Sequence, residues 1–479
     1  MRRIAALLLL LLPAVVDSQS PTTAEPRIRS ARLDTRAVDS AVRAAMSQRR
    51  VPGASVALVR GGRLEYVGAY GHASLDPRVP ADTATRFAIG SVTKQFIAAL
   101  ALLLQEDGKL SLDDTVAKWY PNITRAGEIR LIDLVHHVSG YHDYYPLDFV
   151  DRPMSRPTSA EQIIATFATA PLDFDPGTRW SYSNTGYTIL GRVIERVTGR
   201  PLGELLEERI FRPLGLGNTA FEPTSRERRA TGYISWALGD PEPAIVEGPG
   251  WIGAAGGIWS TAADVARWNV ALMRPGFLSP ASRAVLFGER STKDGRPTGY
   301  AGGLAVNRAG GRTVYAHGGA TAGFVASSAF VPEDTASVVV LVNGDQNITD
   351  AVPLTLVSPT RPTTASKAAE PAQREVAPPT PRGASAQQAA VDFFRQLQRA
   401  EVDQSNLSDE YRAFLTPQRI QAAARTLGPL GAPSKSELVS RWERGGMEVA
   451  VVRLTFATRT VSTLMYRTPD GVVHQYLLW

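Results

Sequence analysis

The sequence predicts an α/β (α+β) architecture: an antiparallel sheet flanked by helices, with a helical region inserted into it, followed by a small C-terminal α+β unit. Three observations predict it. Strand signals stand at both ends of residues 33–357, with helical segments and loops between them. Residues 358–386 are rich in Pro, Thr, Ala and Ser and nearly lack large apolar side chains, which is the composition of an extended linker. Residues 387–479 then carry helical patterns followed by strand patterns, the order of a small α+β domain.

Each element follows from its local pattern. Met1-Arg2-Arg3 is a basic leader, Ile4 to Leu12 is apolar, Pro13 ends the run, and small residues surround Ser18 and Ser20. This is the pattern of a secretory signal over residues 1–18, too short to span a bilayer comfortably. The chain is therefore expected to be exported, periplasmic or secreted, with no stable membrane span after cleavage. Residues 19–32 are polar and expected to be flexible. Leu33, Ala37, Val38, Ala41, Val42 and Ala45 share one face of a helix. Ala54 to Arg60 and Leu64 to Tyr70 read as strands about a Gly61-Gly62 hairpin turn. Strand signals return at Thr313 to Ala316, Val325 to Val331 and Ser337 to Val342. In the tail, Ala389, Val391, Phe393, Phe394 and Leu397 suggest one helix, and Pro417 to Leu427 a second. Met447 to Ala457, Thr460 to Arg467 and Val472 to Leu478 suggest three strands. The order loosely resembles cystatin-like or NTF2-like cone folds, and the tail reads as a stabilising or spacing module, with covering the active-site mouth, dimerisation and envelope binding as the other readings.

Composition narrows the chemistry. The net charge of the 479 residues is +6, but the basic residues are scattered, with no run of the kind that grips nucleic acid. There is no Cys, which excludes disulfides, thiolate nucleophiles and Cys-based zinc sites. No His pair has metal-ligand spacing with a carboxylate partner, so neither a metal nor another cofactor is expected. Of the 52 basic residues only Lys94, Lys109, Lys118, Lys293, Lys367 and Lys435 are lysines. Where this chain needs only a positive charge it uses Arg, so a Lys at a chemical site is informative: Lys can lose its proton in a suitable pocket and Arg cannot.

Three constellations carry candidate chemistry. In the first, Gly90-Ser91 opens the apolar stretch Phe96 to Leu104, which places Lys94 one turn beyond Ser91 on the same helix face. Serine is a poor nucleophile until a base takes its proton, and a buried Lys is such a base. Ser91-x-x-Lys94 is the one Ser-x-x-Lys in the chain. A Ser helix cap followed by a surface Lys gives the same letters. The second constellation runs from Pro176 to Tyr187 and contains Tyr182-Ser183-Asn184; a phenol can shuttle a proton and an Asn amide can hold a Lys. A plain turn with its own helix cap also fits it. The third is His317-Gly318-Gly319, directly after a strand, where glycines let a substrate backbone approach closely. A glycine-rich hairpin beside a solvated His is the ordinary alternative.

Taken together, the three motifs resemble, in order and spacing, those of the serine β-lactamase and D-Ala-D-Ala carboxypeptidase superfamily, particularly its class C branch. Leu134 to Gly140, Pro213-Leu214-Gly215-Leu216 and Ala255 to Thr261 are similar to further segments of that branch, and the resemblance covers about Leu33 to Val357. It implies a β-lactamase/transpeptidase-like sheet with an all-helical subdomain. It also implies an acyl-enzyme mechanism: Ser91 as nucleophile, Lys94 and Tyr182 as coupled base and acid, Asn184 orienting Lys94 and the substrate, and the Ser91 and Ala320 N–H groups as the oxyanion hole. His317 and Gly319 would line the substrate, and His137 would be structural.

One departure turns the expected substrate. β-Lactamases usually carry Lys at the position of His317, and a neutral His cannot hold a lactam carboxylate as a permanent cation does. His is familiar there from D-aminopeptidases and related esterases. The expected activity is hydrolysis of amide or ester bonds in small molecules, peptides or esters, including peptidoglycan-derived ones. A β-lactamase and a non-catalytic cell-wall or penicillin-binding protein are the competing readings.

Overall fold

The two ends of residues 33–357 meet at the centre of one seven-stranded antiparallel sheet. The computed structural model describes residues 33–147, 149–358 and 378–479. The expected signal over 1–18, the segment 19–32 and residues 359–377 of the linker lie outside the described residues. Strand β1 (Gly53–Arg60) turns back into β2 (Arg63–Leu75) and the short β3 (Arg78–Pro80). Strands β4 (Ala305–Ala309), β5 (Arg312–Thr321), β6 (Phe324–Val331) and β7 (Ala336–Val342) complete the sheet in the order β3-β2-β1-β7-β6-β5-β4. β1 and β7 pair antiparallel from Ala54 opposite Val342 to Val59 opposite Ser337. Gly61 and Gly62 take φ of 56° and 71°, the left-handed conformation a two-residue hairpin needs.

Both faces of the sheet centre are covered, which is why β7 runs apolar from Val338 to Val342 and is buried throughout. On one face Ala54, Val56, Leu58, Val338, Val340 and Val342 pack against Val38, Val42 and Met46 of helix α1 (Thr35–Arg49). On the other, Ala57, Val59, Val339 and Leu341 join the main core. At the heart of that core lies helix α2 (Thr93–Glu106), in which every residue from Thr93 to Leu104 is buried. A helix apolar on all sides has no solvent face to give up. Phe96 stacks on Trp268 at 4.1 Å, and the Trp268 indole N–H donates to Gln95 Oε1 at 3.1 Å, which pairs two of the buried polar atoms there. Helices α3 (Asn184–Thr198) and α4 (Ala262–Met273) belong to the inserted helical region.

The tail forms its own four-stranded antiparallel sheet, β8 (Lys435–Arg444), β9 (Met447–Thr455), β10 (Thr460–Arg467) and β11 (Val473–Leu478), in sequential order. Helices α5 (Ala386–Arg399) and α6 (Pro417–Leu427) pack with it around Phe393, Phe394, Leu397, Val452, Leu454 and Tyr476. β4 and β8 have no counterpart among the strands expected from sequence. β8 is exposed or half-buried along its length and rich in charge, so it lacks the apolar alternation that marks a strand. The tail docks on the larger unit. The Trp236 indole N–H donates to Arg419 O at 3.0 Å, Arg419 pairs with Glu242 at 2.6 Å, and Arg152 pairs with Glu410 at 2.7 Å. Phe149 sets its ring 5.3 Å from that of Phe414. No helix among the described residues is long and apolar enough to cross a membrane.

Candidate active site

The three constellations converge beside the N-terminus of α2. Ser91 sits in the 3-10 turn Gly90–Val92 that leads into α2, and Lys94 occupies the helix's first turn. The core packing of α2 therefore fixes both residues. Lys94 is fully buried, and its Nζ lies 3.1 Å from Ser91 Oγ, 2.8 Å from Asn184 Oδ1 and 2.7 Å from the Ala255 carbonyl oxygen. Its ammonium faces the rings of Tyr182 and Tyr187, at 4.8 and 5.3 Å from their centroids. Burial pulls its pKa down to about 7, against the opposing pull of Asp143; the Arg444 cation adds to the lowering. A neutral amine has two N–H donors and one lone pair. The donors are used on Asn184 Oδ1 and Ala255 O, which leaves the lone pair for the Ser91 hydroxyl.

Asn184 is set by two partners. Ser183 caps α3, its hydroxyl accepting the Gly186 N–H at 3.3 Å, so Asn184 is the first residue of that helix. Asp143 Oδ1 accepts both the Asn184 backbone N–H at 3.0 Å and its Nδ2–H at 2.9 Å. An amide that donates to Asp143 must turn its oxygen towards Lys94. Tyr182 stands just before this cap, and His137 holds the segment on both sides of it. The His137 carbonyl accepts from Ser181 N–H at 3.0 Å, and its Nδ1 accepts from Ser183 N–H at 3.1 Å. Burial keeps His137 well below the usual histidine pKa, so the ring is neutral.

β5 runs on through His317-Gly318-Gly319 to Thr321, further than the strand expected from sequence. Its end lies against the Ser91 turn. A side-chain carbon on Gly319 would sit 2.0 Å from Ile89 O, and one on Gly90 would sit 2.7 Å from Ala320 N. The Ser91 and Ala320 backbones thus border the same small space. Gly319→Ala is expected to destabilise the protein by about 1–3 kcal/mol through overpacking, since the obstructing atom is backbone; equilibrium chemical denaturation measures it.

His317 Nδ1 meets the Gly318 carbonyl, which can only accept. Nδ1 therefore carries the hydrogen, and Nε2 accepts from the Tyr300 hydroxyl at 2.8 Å. Burial, with the nearby Lys94 charge, pushes the His317 pKa down to about 4. The imidazole is neutral at pH 7.

Structure thus brings together Ser91, Lys94, Tyr182, Asn184, His317, Gly319 and Ala320. It adds Asp143, Ala255, Tyr300 and Arg444, which sequence reasoning missed. Ala255 lies inside a recognised segment, but its role belongs to a backbone carbonyl and leaves no side-chain signal. Asp143 lies just beyond the recognised segment Leu134 to Gly140 but outside it, and Tyr300 and Arg444 sit apart from every motif, with no local pattern to mark them.

The chain is similar to known proteins over its larger unit and, in one case, over nearly its whole length. The D-aminopeptidase of Brucella canis is 30% identical over 324 residues, 67% of this chain and 61% of that protein. The chain thus spans about 61% of the length of the curated relatives it matches. The D-amino acid amidase from Ochrobactrum anthropi SV3, solved in complex with L-phenylalanine amide, is 26% identical with a TM-score of 0.59; the match covers 67% of this chain and 97% of that one. The octameric penicillin-binding protein homologue from Pyrococcus abyssi, 20% identical with a TM-score of 0.58, shares the fold over 93% of this chain and 99% of its own. The family model described as Beta-lactamase matches residues 38–357, and the chain belongs to the Beta-lactamase family.

Proposed function

We propose that this protein is a serine hydrolase that cleaves amide bonds of small D-amino-acid amides or D-peptides through an acyl-enzyme. The observation that carries this reading is the buried Lys94 amine, 3.1 Å from Ser91 Oγ, with both of its N–H donors engaged elsewhere. Ser91 attacks the substrate carbonyl as its proton passes to Lys94. The oxyanion forms beside the Ser91 and Ala320 N–H groups, where each preorganised donor contributes about 3–4 kcal/mol. The proton then passes by way of Lys94 and Tyr182 to the leaving amine, and water releases the acyl group by the reverse path. Asn184 holds Lys94 and offers its amide to the substrate.

Two facts support amides over lactams. His317 is neutral and already engaged with Tyr300, so it offers no standing cation for a lactam carboxylate. The matched Brucella proteins are named D-aminopeptidases and the Ochrobactrum neighbour is a D-amino acid amidase. A substrate panel tests the reading. D-Alanine p-nitroanilide is expected to be hydrolysed with kcat/KM at least about tenfold above its L-enantiomer and about 100-fold above nitrocefin, differences within reach of ordinary pocket discrimination. Nitrocefin turnover matching that of the anilide would favour a β-lactamase. Failure to label with a fluorophosphonate or a fluorescent penicillin would favour a binding protein.

A further inference from the structure

The C-terminal unit reaches the catalytic centre through the hairpin that joins β8 to β9. Its tip is Glu443-Arg444-Gly445-Gly446, with φ of 56° and 77° at the two glycines. The approach to the larger unit is close: a side-chain carbon on Gly445 would lie 3.0 Å from Pro146 Cβ. Two adjacent charges grip the segments that build the site. Glu443 pairs with Arg179, inside the second constellation, at 3.1 Å. Arg444 donates from Nη2 to the Tyr145 carbonyl at 3.3 Å and brings that nitrogen to 3.9 Å from Asp143 Oδ2. Nη1 donates to the Tyr466 hydroxyl at 3.2 Å, which anchors the guanidinium to its own sheet. Asp143 is 3% exposed, and its other oxygen carries both hydrogen bonds to Asn184. A buried carboxylate is costly without an opposite charge nearby.

We infer that Arg444 is a positioning residue: the C-terminal unit inserts it to balance Asp143, and so holds Asn184 and Lys94 in their working geometry. The tail then completes the active site and is more than a spacer. This rests on the reading of Lys94 as the base. The groups facing Lys94 are Ser91 and Tyr182, Tyr187 of α3, Asp143 of the preceding loop, His137, His317 of β5 and Arg444 of the hairpin. Both histidines are neutral, so the standing charges are Asp143 and Arg444. Asp143 favours the protonated amine and Arg444 opposes it. Removing the guanidinium charge therefore favours protonated Lys94, and the acid side of the pH–rate profile moves to higher pH.

The test uses the full chain with p-nitrophenyl acetate, reading kcat/KM from pH 5 to 9 for R444Q and R444K. R444Q is expected to move the acid limb upward by about half to one unit. At pH 7 it is expected to lower kcat/KM about two- to fivefold, the loss that this shift imposes on the neutral fraction of Lys94. R444K, which keeps the charge, is expected to return the limb to its original position. A limb unmoved in R444Q, or R444K behaving as R444Q does, overturns the inference, because a merely packing role lowers activity without moving the limb. R444M keeps the apolar stem but not the charge; it decides the case if R444Q does not fold. An upward shift like that expected of R444Q supports the inference and no shift overturns it. S91A on the same ester separates the two levels. If S91A stays active, the reading of the site fails; if S91A is inactive and the limb does not move, only the role of Arg444 fails.

Discussion

Replacing Ser91 by alanine is expected to lower kcat for amide or ester hydrolysis by about 10⁵–10⁶-fold while leaving the fold intact. Losses of this size, about 7–8 kcal/mol of transition-state stabilisation, are typical when the nucleophile of a tightly coupled set is removed. The change should cost little stability. Ser91 is half-buried on a 3-10 turn whose backbone geometry is set by Gly90, Ile89 and the end of β5, none of which depends on the hydroxyl. Thermal unfolding alongside steady-state kinetics checks both halves. A variant that folds normally and keeps more than about one hundredth of the activity would remove Ser91 from the mechanism. Covalent labelling gives a second readout, since S91A should take up no fluorophosphonate at the site.

Lys94→Arg is the second large effect, expected at about 10³–10⁴-fold in kcat/KM, the usual size of a general-base contribution. The substitution keeps the positive charge and removes the ability to lose it. In the native protein the sign of the pH dependence follows from the Lys94 value of about 7, lowered first by burial. Lys94 can take the Ser91 proton only when neutral. Activity should therefore rise as pH climbs through about 7, and fall about tenfold for each unit below it. K94R should keep only its residual activity across the range, with no acid limb near pH 7. A wild-type profile flat from pH 5 to 9 would show that Lys94 does not titrate in the rate-limiting step.

The sequence made the catalytic letters readable because each sits in a local pattern. Ser91 and Lys94 are one helical turn apart, Tyr182 and Asn184 flank a helix cap, and His317 and Gly319 follow an apolar strand. The sheet was legible for a similar reason: β1, β2, β5, β6 and β7 alternate or run apolar between turn signals. What stayed hidden depends on contacts between distant segments. Asp143 acquires a role only when the fold brings it to Asn184, 41 positions away. Tyr300 matters because it donates to His317. β8 escaped because its charged residues face solvent or the neighbouring unit, and the same feature hid Arg444. A charge in a polar strand reads as surface until the opposite charge beneath it is known.

The pairing of β1 with β7 has a consequence for how the molecule is made. These strands stand at opposite ends of the larger unit, with Ala54 opposite Val342, yet they form the middle of its sheet. During synthesis β1 emerges early and has β2 for a neighbour, but its central partner arrives only after the entire helical insertion. Contacts of such long sequence separation carry a large loop-closure cost and make folding slow. Until β7 arrives, the apolar edge of β1 is an open template for pairing with other chains. The nascent protein should thus depend on holding factors for most of its elongation, and stalled chains ending before residue 336 should aggregate.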